Sequence, residues 1–239
     1  MLWLKRLFAS KQRLVGTPNF DSAPWRTLNI SGTLVRFKNP PQTSRVPNKF
    51  WPEQVDLYKE DYRDLQNGRW LSKAVFKNFW SFSSHLIWGE RHEGGGWVTI
   101  SIQRRHPHNW SIQSMLNRED CLNWILTGCK EVNESFPGRQ PDTVEGIKTA
   151  VFNGNSFYHV RSHTEKDWTA FYEIPISDDH LLSFYFRPSG GHKYLVNDEN
   201  NVEAEAEKMI QSFMENLHIT LSPDTQKRIE ELEQNEQVR

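Results

Sequence analysis

Apolar residues along the chain follow two periods, and the change from one to the other marks the elements. Over residues 117–135, Cys121, Leu122, Ile125, Cys129 and Val132 recur at steps of three and four, which places them on one helical face. Asn117 is a natural cap, Glu119 and Asp120 suit the positive end of the helix dipole, and Phe136-Pro137-Gly138 stops the helix. Over residues 199–217 the stripe is complete: Val202, Ala206, Met209, Ile210, Phe213, Met214 and Leu217. Between the helices the pattern predicts four strands, at 147–152, 156–162, 168–176 and 180–187. Asn153-Gly154-Asn155 is a hairpin turn, and the short connections make neighbouring strands antiparallel. Pro175 predicts a bend or an edge in the third.

The first hundred residues are less regular. Leu28, Ile30, Leu34 and Phe37 predict one strand over 28–38 with a bulge at Gly32, ended by Pro40-Pro41. Residues 40–73 read as an irregular insertion, with one short helix carrying Val55, Leu57, Tyr58, Tyr62 and Leu65. Val98, Ile100 and Ile102 alternate with Thr99, Ser101 and Gln103. They predict a strand over 96–104 paired with one over 82–89, and Gly94, Gly95 and Gly96 supply the positive φ of the turn between them. Ser189-Gly190-Gly191-His192 reads as a wide turn. Leu217–Leu221 predicts a short last strand, and Ser222 with Pro223 opens a polar helix. The expected organisation is an amphipathic segment and arm over 1–27, one α+β domain over 28–221 and a polar helix over 222–239. The expected architecture is a curved antiparallel sheet packed against two amphipathic helices, with the irregular insertion and the polar C-terminal helix added.

Composition supports a folded chain. Apolar residues make up only 36% of the 239, but aromatics reach 13%, with ten Trp and fourteen Phe to supply buried area. Lys and Arg number 29 against 30 Asp and Glu, so there is no broad basic footprint for nucleic acid. Cys121 and Cys129 lie eight residues apart, roughly 12 Å along a helix, too far for a disulfide, and they read as buried free thiols. At the amino terminus Trp3, Leu4, Leu7 and Phe8 form an apolar face beside Lys5, Arg6 and Lys11. That pattern predicts either contact with the surface of an inner membrane or a terminal helix docked on the domain. Lys5 and Arg6 interrupt the run that a secretory signal needs. The expected location is cytoplasmic, peripheral at the inner membrane.

Chemistry-bearing residues do not assemble into a known set. Glu90, His92 and Glu93 lie near one end of the predicted hairpin, and His106 and His108 near the other, ~25 Å away. A shared metal site is not expected. Cys121 sits near a helix start, where Glu119 and Asp120 would raise its pKa. There is no Gly-x-Ser-x-Gly elbow and no phosphate-binding glycine motif, so neither catalytic residue nor cofactor is expected. Arg104-Arg105-His106-Pro107-His108-Asn109-Trp110 joins bases to an aromatic ring, but it is one short segment of a neutral chain. Aromatic and basic residues at strand ends and loops suit a protein interface. The candidate contacts are Trp51, Tyr58, Trp70, His92, Arg105 and Trp110.

The second half carries a resemblance. A hairpin ending near Gln103, a helix near 117–135, the meander with Gly146-Ile147-Lys148, the stretch Asp178-Asp179-His180-Leu181-Leu182-Ser183 and a closing helix Ala206–Leu217 leading to Ile219 follow one order. That order resembles the PsbP-like and DcrB-like group. The resemblance implies a curved antiparallel sheet between helices and a binding or accessory role, and it carries over no functional residue. The expected function is a non-catalytic bacterial binding protein of the immunity type, neutralising a secreted effector by protein contact. The alternatives are a hydrolase with a His/acid site in the loops at 89–96 and 104–110, and a membrane-surface accessory protein.

Overall fold

A computed structural model describes residues 17–41, 49–50, 53–59, 62–64, 70–84, 91–107, 112–163, 168–190 and 202–237. The chain opens with β1 (Trp25–Ile30) and β2 (Thr33–Lys38). These form a hairpin, not one bulged strand: Ser31 and Gly32 both have positive φ, 45° and 91°, which turns the chain on two residues. In the insertion, β3 (Lys49–Phe50), β4 (Gln54–Val55) and β5 (Arg63–Asp64) replace the short helix. Val55 there pairs in parallel with Ile30 of β1.

The long hairpin follows, β6 (Trp70–Ser84) and β7 (Arg91–Arg105), fifteen residues each. Strand β6 begins well before the predicted 82–89, of which 85–89 lie outside the described residues, and β7 is longer than the predicted 96–104 because Gly94, Gly95 and Gly96 lie inside it. They supply space there, not positive φ. A Cβ on Gly95 would lie 2.3 Å from Phe79 Cζ and 2.4 Å from the Trp80 carbonyl oxygen, and one on Gly96 would lie 2.3 Å from Met209 Cε. A bulge between Ala74 and Phe76 shifts the facing of β6, which breaks its alternation in sequence.

Helix α1 (Arg118–Ser135) comes next, with the Asp120 amide donating to the side-chain oxygen of its cap Asn117 at 3.0 Å. The meander is β8 (Lys148–Phe152), β9 (Asn155–His163), β10 (Trp168–Ser177) and β11 (His180–Gly190). The turn at Asn153 and Gly154 has φ of 50° and 80°. Pro175 falls at a register shift inside the sheet and not at an edge. The predicted turn at 189–192 begins within β11, where Pro188, Ser189 and Gly190 pair with Gly96, Gly95 and Gly94. Helix α2 (Val202–Glu215), β12 (Leu217–Thr220) and α3 (Pro223–Gln237) close the chain.

The expected single curved sheet with two helices is therefore corrected. There are two sheets, both flat, and three helices among the described residues. The larger has eight strands in the order β3-β6-β7-β11-β10-β9-β8, with β5 also on β6; the smaller runs β12-β2-β1-β4. The physical reason is that both faces of the larger sheet are covered. On one face α2 and the inner side of the small sheet pack together: Ile30, Val35, Phe37, Val98, Ile100, Phe184, Phe186, Met209 and Phe213 share one core. On the other face α1 forms a second core with Met115, Ile147, Val160 and Leu181. The third helix is anchored at its start, where Thr225 Oγ1 donates to the Ile176 carbonyl at 2.8 Å and the Thr225 amide donates to Ser222 Oγ at 3.2 Å.

Candidate functional site

The same alternation that sends Val98, Ile100 and Ile102 toward α2 sends Thr99, Ser101 and Gln103 to the opposite face, beneath α1. Register turns these positions into rows. Ala74, Ser101, Ser183, Glu173 and Tyr158 are successive cross-strand neighbours on β6, β7, β11, β10 and β9. Thr99, Tyr185, Phe171 and Val160 form the next row, and Ser72 faces Gln103 on the other side. A face with this composition usually meets water. Here α1 crosses it with Ile125, Gly128, Cys129 and Val132, and the gap between helix and sheet is a cavity of about 430 Å³, partly open to solvent.

Small side chains make that gap. Ser72, Ala74, Ser101 and Ser183 line the floor, and Gly128 lines the roof. A Cβ on Gly128 would lie 3.3 Å from the Trp70 ring, so the glycine admits the indole against the helix. A mid-helix glycine costs about 1 kcal/mol relative to alanine, so it needs such a packing reason. Trp70 also meets Trp124 edge-on at 5.9 Å.

The central polar group is Glu173, only 6% exposed. Burial pushes its carboxyl up to about 7, against smaller opposing effects of Ser183 and Gln103. Gln103 Nε2 donates to Glu173 Oε1 at 3.2 Å. Gln103 Oε1, Ser183 Oγ and Trp70 Nε1 are buried without a partner of hydrogen-bond geometry among the described residues. Ser183 lies beside the carboxyl in register but outside that geometry. No Lys, Arg or His lines the cavity among the described residues. The Cys129 thiol is raised to about 12 by burial and then by Glu173, and burial raises Cys121 well above its ordinary value, so neither serves as a nucleophile at neutral pH. The site can hold a ligand that supplies hydrogen bonds and apolar surface.

Sequence reasoning placed one residue of its candidate surface here, Trp70. Arg105 is its cross-strand partner, but the guanidinium is committed elsewhere. Its Nε donates to Asp179 Oδ1 at 2.9 Å and its Nη1 to the Ile112 carbonyl, which ties the segment before α1 to the β10–β11 turn. Tyr58 is 62% exposed, stands edge-on to His180, and borders a separate polar cavity of about 170 Å³ with Asp178 and Arg228. His92 pairs with Ser83 at the far end of the hairpin, twelve strand steps and more from Trp70, or ~40 Å. Trp51 and Trp110 lie outside the described residues, as do Trp3, Leu4, Leu7 and Phe8. Glu173, Gln103 and Ser183 were missed. The available signal was a lone carboxylate in the apolar run Phe171–Ile176.

Ser177 Oγ lies 2.8 Å from His180 Nδ1, a pair that resembles a hydrolytic dyad. Burial, with Arg104 beside it, pushes the His180 imidazole down to about 4, and the Asp179 amide donates to the same hydroxyl at 3.2 Å. The pair locks a turn. No group of three His, Cys, Asp or Glu among the described residues could hold a metal, and no described helix is long and apolar enough to cross a membrane. The described surface exposes Trp25, Leu34, Phe136 and Val151, apolar side chains consistent with a contact patch. The chain matches no family model, no curated protein and no solved structure.

Proposed function

We propose that the chain is a binding protein whose ligand is a small molecule held between α1 and the large sheet. The observation that carries this reading is Glu173, a buried carboxyl beside unpartnered polar atoms on a cavity wall. Buried polar groups are ordinarily paired, and leaving one unpaired costs about 1–3 kcal/mol. A ligand would relieve that cost while its apolar part covers Trp70, Phe171 and Tyr185. The test is ligand-observed NMR of a fragment set against the full chain and against Ser101→Leu, which fills the floor. Hits that disappear in Ser101→Leu support the reading; hits that persist, or no hits at all, refute it.

A protein partner is the second reading, and it rests on the outer face of the small sheet. Trp25 is 42% exposed there, with Arg36 at 5.2 Å, Lys38 at 5.4 Å and the His218 ring at 5.4 Å, and Leu34 is exposed on the same sheet. An aromatic ring among three bases suits an acidic protein surface, and an immunity role against an acidic effector face is one form of it. Pull-down with the product of the neighbouring gene, using wild type and Trp25→Ala/Arg36→Glu, tests it. Equal recovery by both proteins, or no complex, counts against it.

A further inference from the structure

We propose that the ligand is a primary ammonium compound with an apolar or aromatic body, seated with its charged head among Glu173, Gln103 and Ser183. The inference rests on the small-molecule reading above and gives it a substrate class.

Charge decides first. The described lining contains one acid and no base, so a phosphate or carboxylate ligand would bring a second anion beside Glu173 with nothing to neutralise either. Hydrogen-bond inventory decides next. Gln103 spends its Nε2 on Glu173 and is left with an unpartnered acceptor, Oε1. The Ser183 hydroxyl accepts as well as donates, and the Glu173 carboxylate only accepts. An ammonium has three donors and no acceptor, which matches these three groups and leaves the Trp70 Nε1 donor unmet. A neutral alcohol brings one donor and leaves the rest unmet. The walls decide the body: Trp70, Phe171 and Tyr185 line the cavity, and aromatic side chains suit an apolar or aromatic body.

Protonation follows from the same geometry. Burial holds the Glu173 carboxyl at about 7, and an ammonium head favours its ionised form. The titratable groups facing it are Cys121 and Cys129 of α1, Tyr158 of β9 and Tyr185 of β11. Cys121, Cys129 and Tyr158 are all pushed up by burial, the last two to about 12, so none of these three titrates between pH 6 and 8. His159 stacks on Tyr172 at 4.3 Å, on the opposite face of the sheet. Binding in this range is therefore coupled to the one carboxyl.

The experiment is isothermal titration of the full chain with matched probes: hexylammonium, 2-phenylethylammonium and 2-(indol-3-yl)ethylammonium, each against its alcohol, and 3-phenylpropanoate as the anion. At pH 8 at least one ammonium should bind tenfold or more tighter than its alcohol, and the anion should not bind. The ammonium affinity should fall about tenfold between pH 8 and pH 6, while the alcohol affinity stays level. Glu173→Gln should erase the preference and retain the alcohol. Alcohols that bind as well as ammoniums, or an ammonium preference that survives Glu173→Gln, overturn the inference and leave the cavity reading standing. Failure of every probe overturns the inference, and the cavity reading falls with it only where the fragment set also gives no hits. Competition by the bound probe with the fragments lost in Ser101→Leu ties the signal to this cavity; a probe that does not compete refutes the assignment.

Discussion

Replacing Glu173 by glutamine keeps the shape of the side chain and removes its ionisation. In the folded chain the carboxyl is raised by burial from an ordinary 4.5 to about 7. A raised carboxylate means the folded state holds its proton more tightly than the unfolded chain. Between those two values the native state binds more protons, so acidification stabilises it. Below pH 4.5 both states are protonated and there is no penalty. Above pH 7 the folded state carries a buried charge, and the penalty is complete. At about 1.4 kcal/mol per pH unit, the separation corresponds to about 3 kcal/mol. Glu173→Gln should therefore be close to neutral near pH 5 and more stable than wild type by about 3 kcal/mol at pH 8, a midpoint shift on the order of 1 M urea.

The wild-type curve alone would mislead. His180 is buried and pushed down to about 4 from 6.5, so its unfolded form takes up a proton first on acidification. Its contribution is complete above pH 6.5 and is lost as pH falls toward 4, opposite in sign to Glu173 over much of the same window. Subtracting wild type from Glu173→Gln at each pH cancels His180, because both proteins carry it. The assay is urea unfolding at pH 5, 6, 7 and 8, followed by tryptophan fluorescence and far-ultraviolet circular dichroism. A difference between the two proteins that does not change with pH would refute the reasoning, since it would mean that Glu173 is hydrated in the fold.

Two further substitutions test the packing that frames the site. Gly95→Ala places a methyl group 2.4 Å from a backbone oxygen and against the Phe79 ring, whereas Gly96→Ala clashes with the flexible end of Met209 and makes ordinary contact with the Phe82 ring. Urea titration should find the first destabilising by about 3 kcal/mol and the second by about 1 kcal/mol, and the reverse order would show that the glycines serve backbone freedom and not space. Asn153 turns the β8–β9 hairpin at φ 50° while its Nδ2 donates to the carbonyls of Glu215 at 2.9 Å and Leu217 at 2.7 Å, at the end of α2. Asn153→Gly keeps the turn and loses these bonds, so thermal unfolding should show a loss of about 1 kcal/mol, with Asn153→Ala about 1 kcal/mol worse because it also strains the turn.

What was legible in the sequence was what local chemistry determines. Asn117 caps its helix through a side chain three residues from its target, and Asn153-Gly154 turns on its own dihedrals. The stripe of α2 is set by its own spacing. What was illegible depends on partners far away in the chain. Gly94–Gly96 resembled a turn because nothing nearby in sequence shows that Met209 comes down on Gly96. The bulge at Ala74 and Phe76 breaks an alternation that then reads as noise.

The site was hidden for a more instructive reason. Thr99, Ser101 and Gln103 alternate with Val98, Ile100 and Ile102, and in a sheet covered on one side such polar positions face water. This chain, however, encodes two amphipathic helices in addition to a second hairpin with its own apolar side. The stripe of α2 and the inner side of the small sheet together take the apolar face of the central strands. The stripe of α1 must then lie on the other face, where β7, β10 and β11 offer Ser101, Gln103, Glu173 and Ser183. A chain with more apolar helix faces than apolar sheet faces has to bury polar strand residues. Where those residues are serines and the Trp70 ring stands between the sheet and Gly128, a gap is left above them. A cavity with a carboxyl on its wall follows from that mismatch, and Glu173 within Phe171–Ile176 is the position at which the sequence records it.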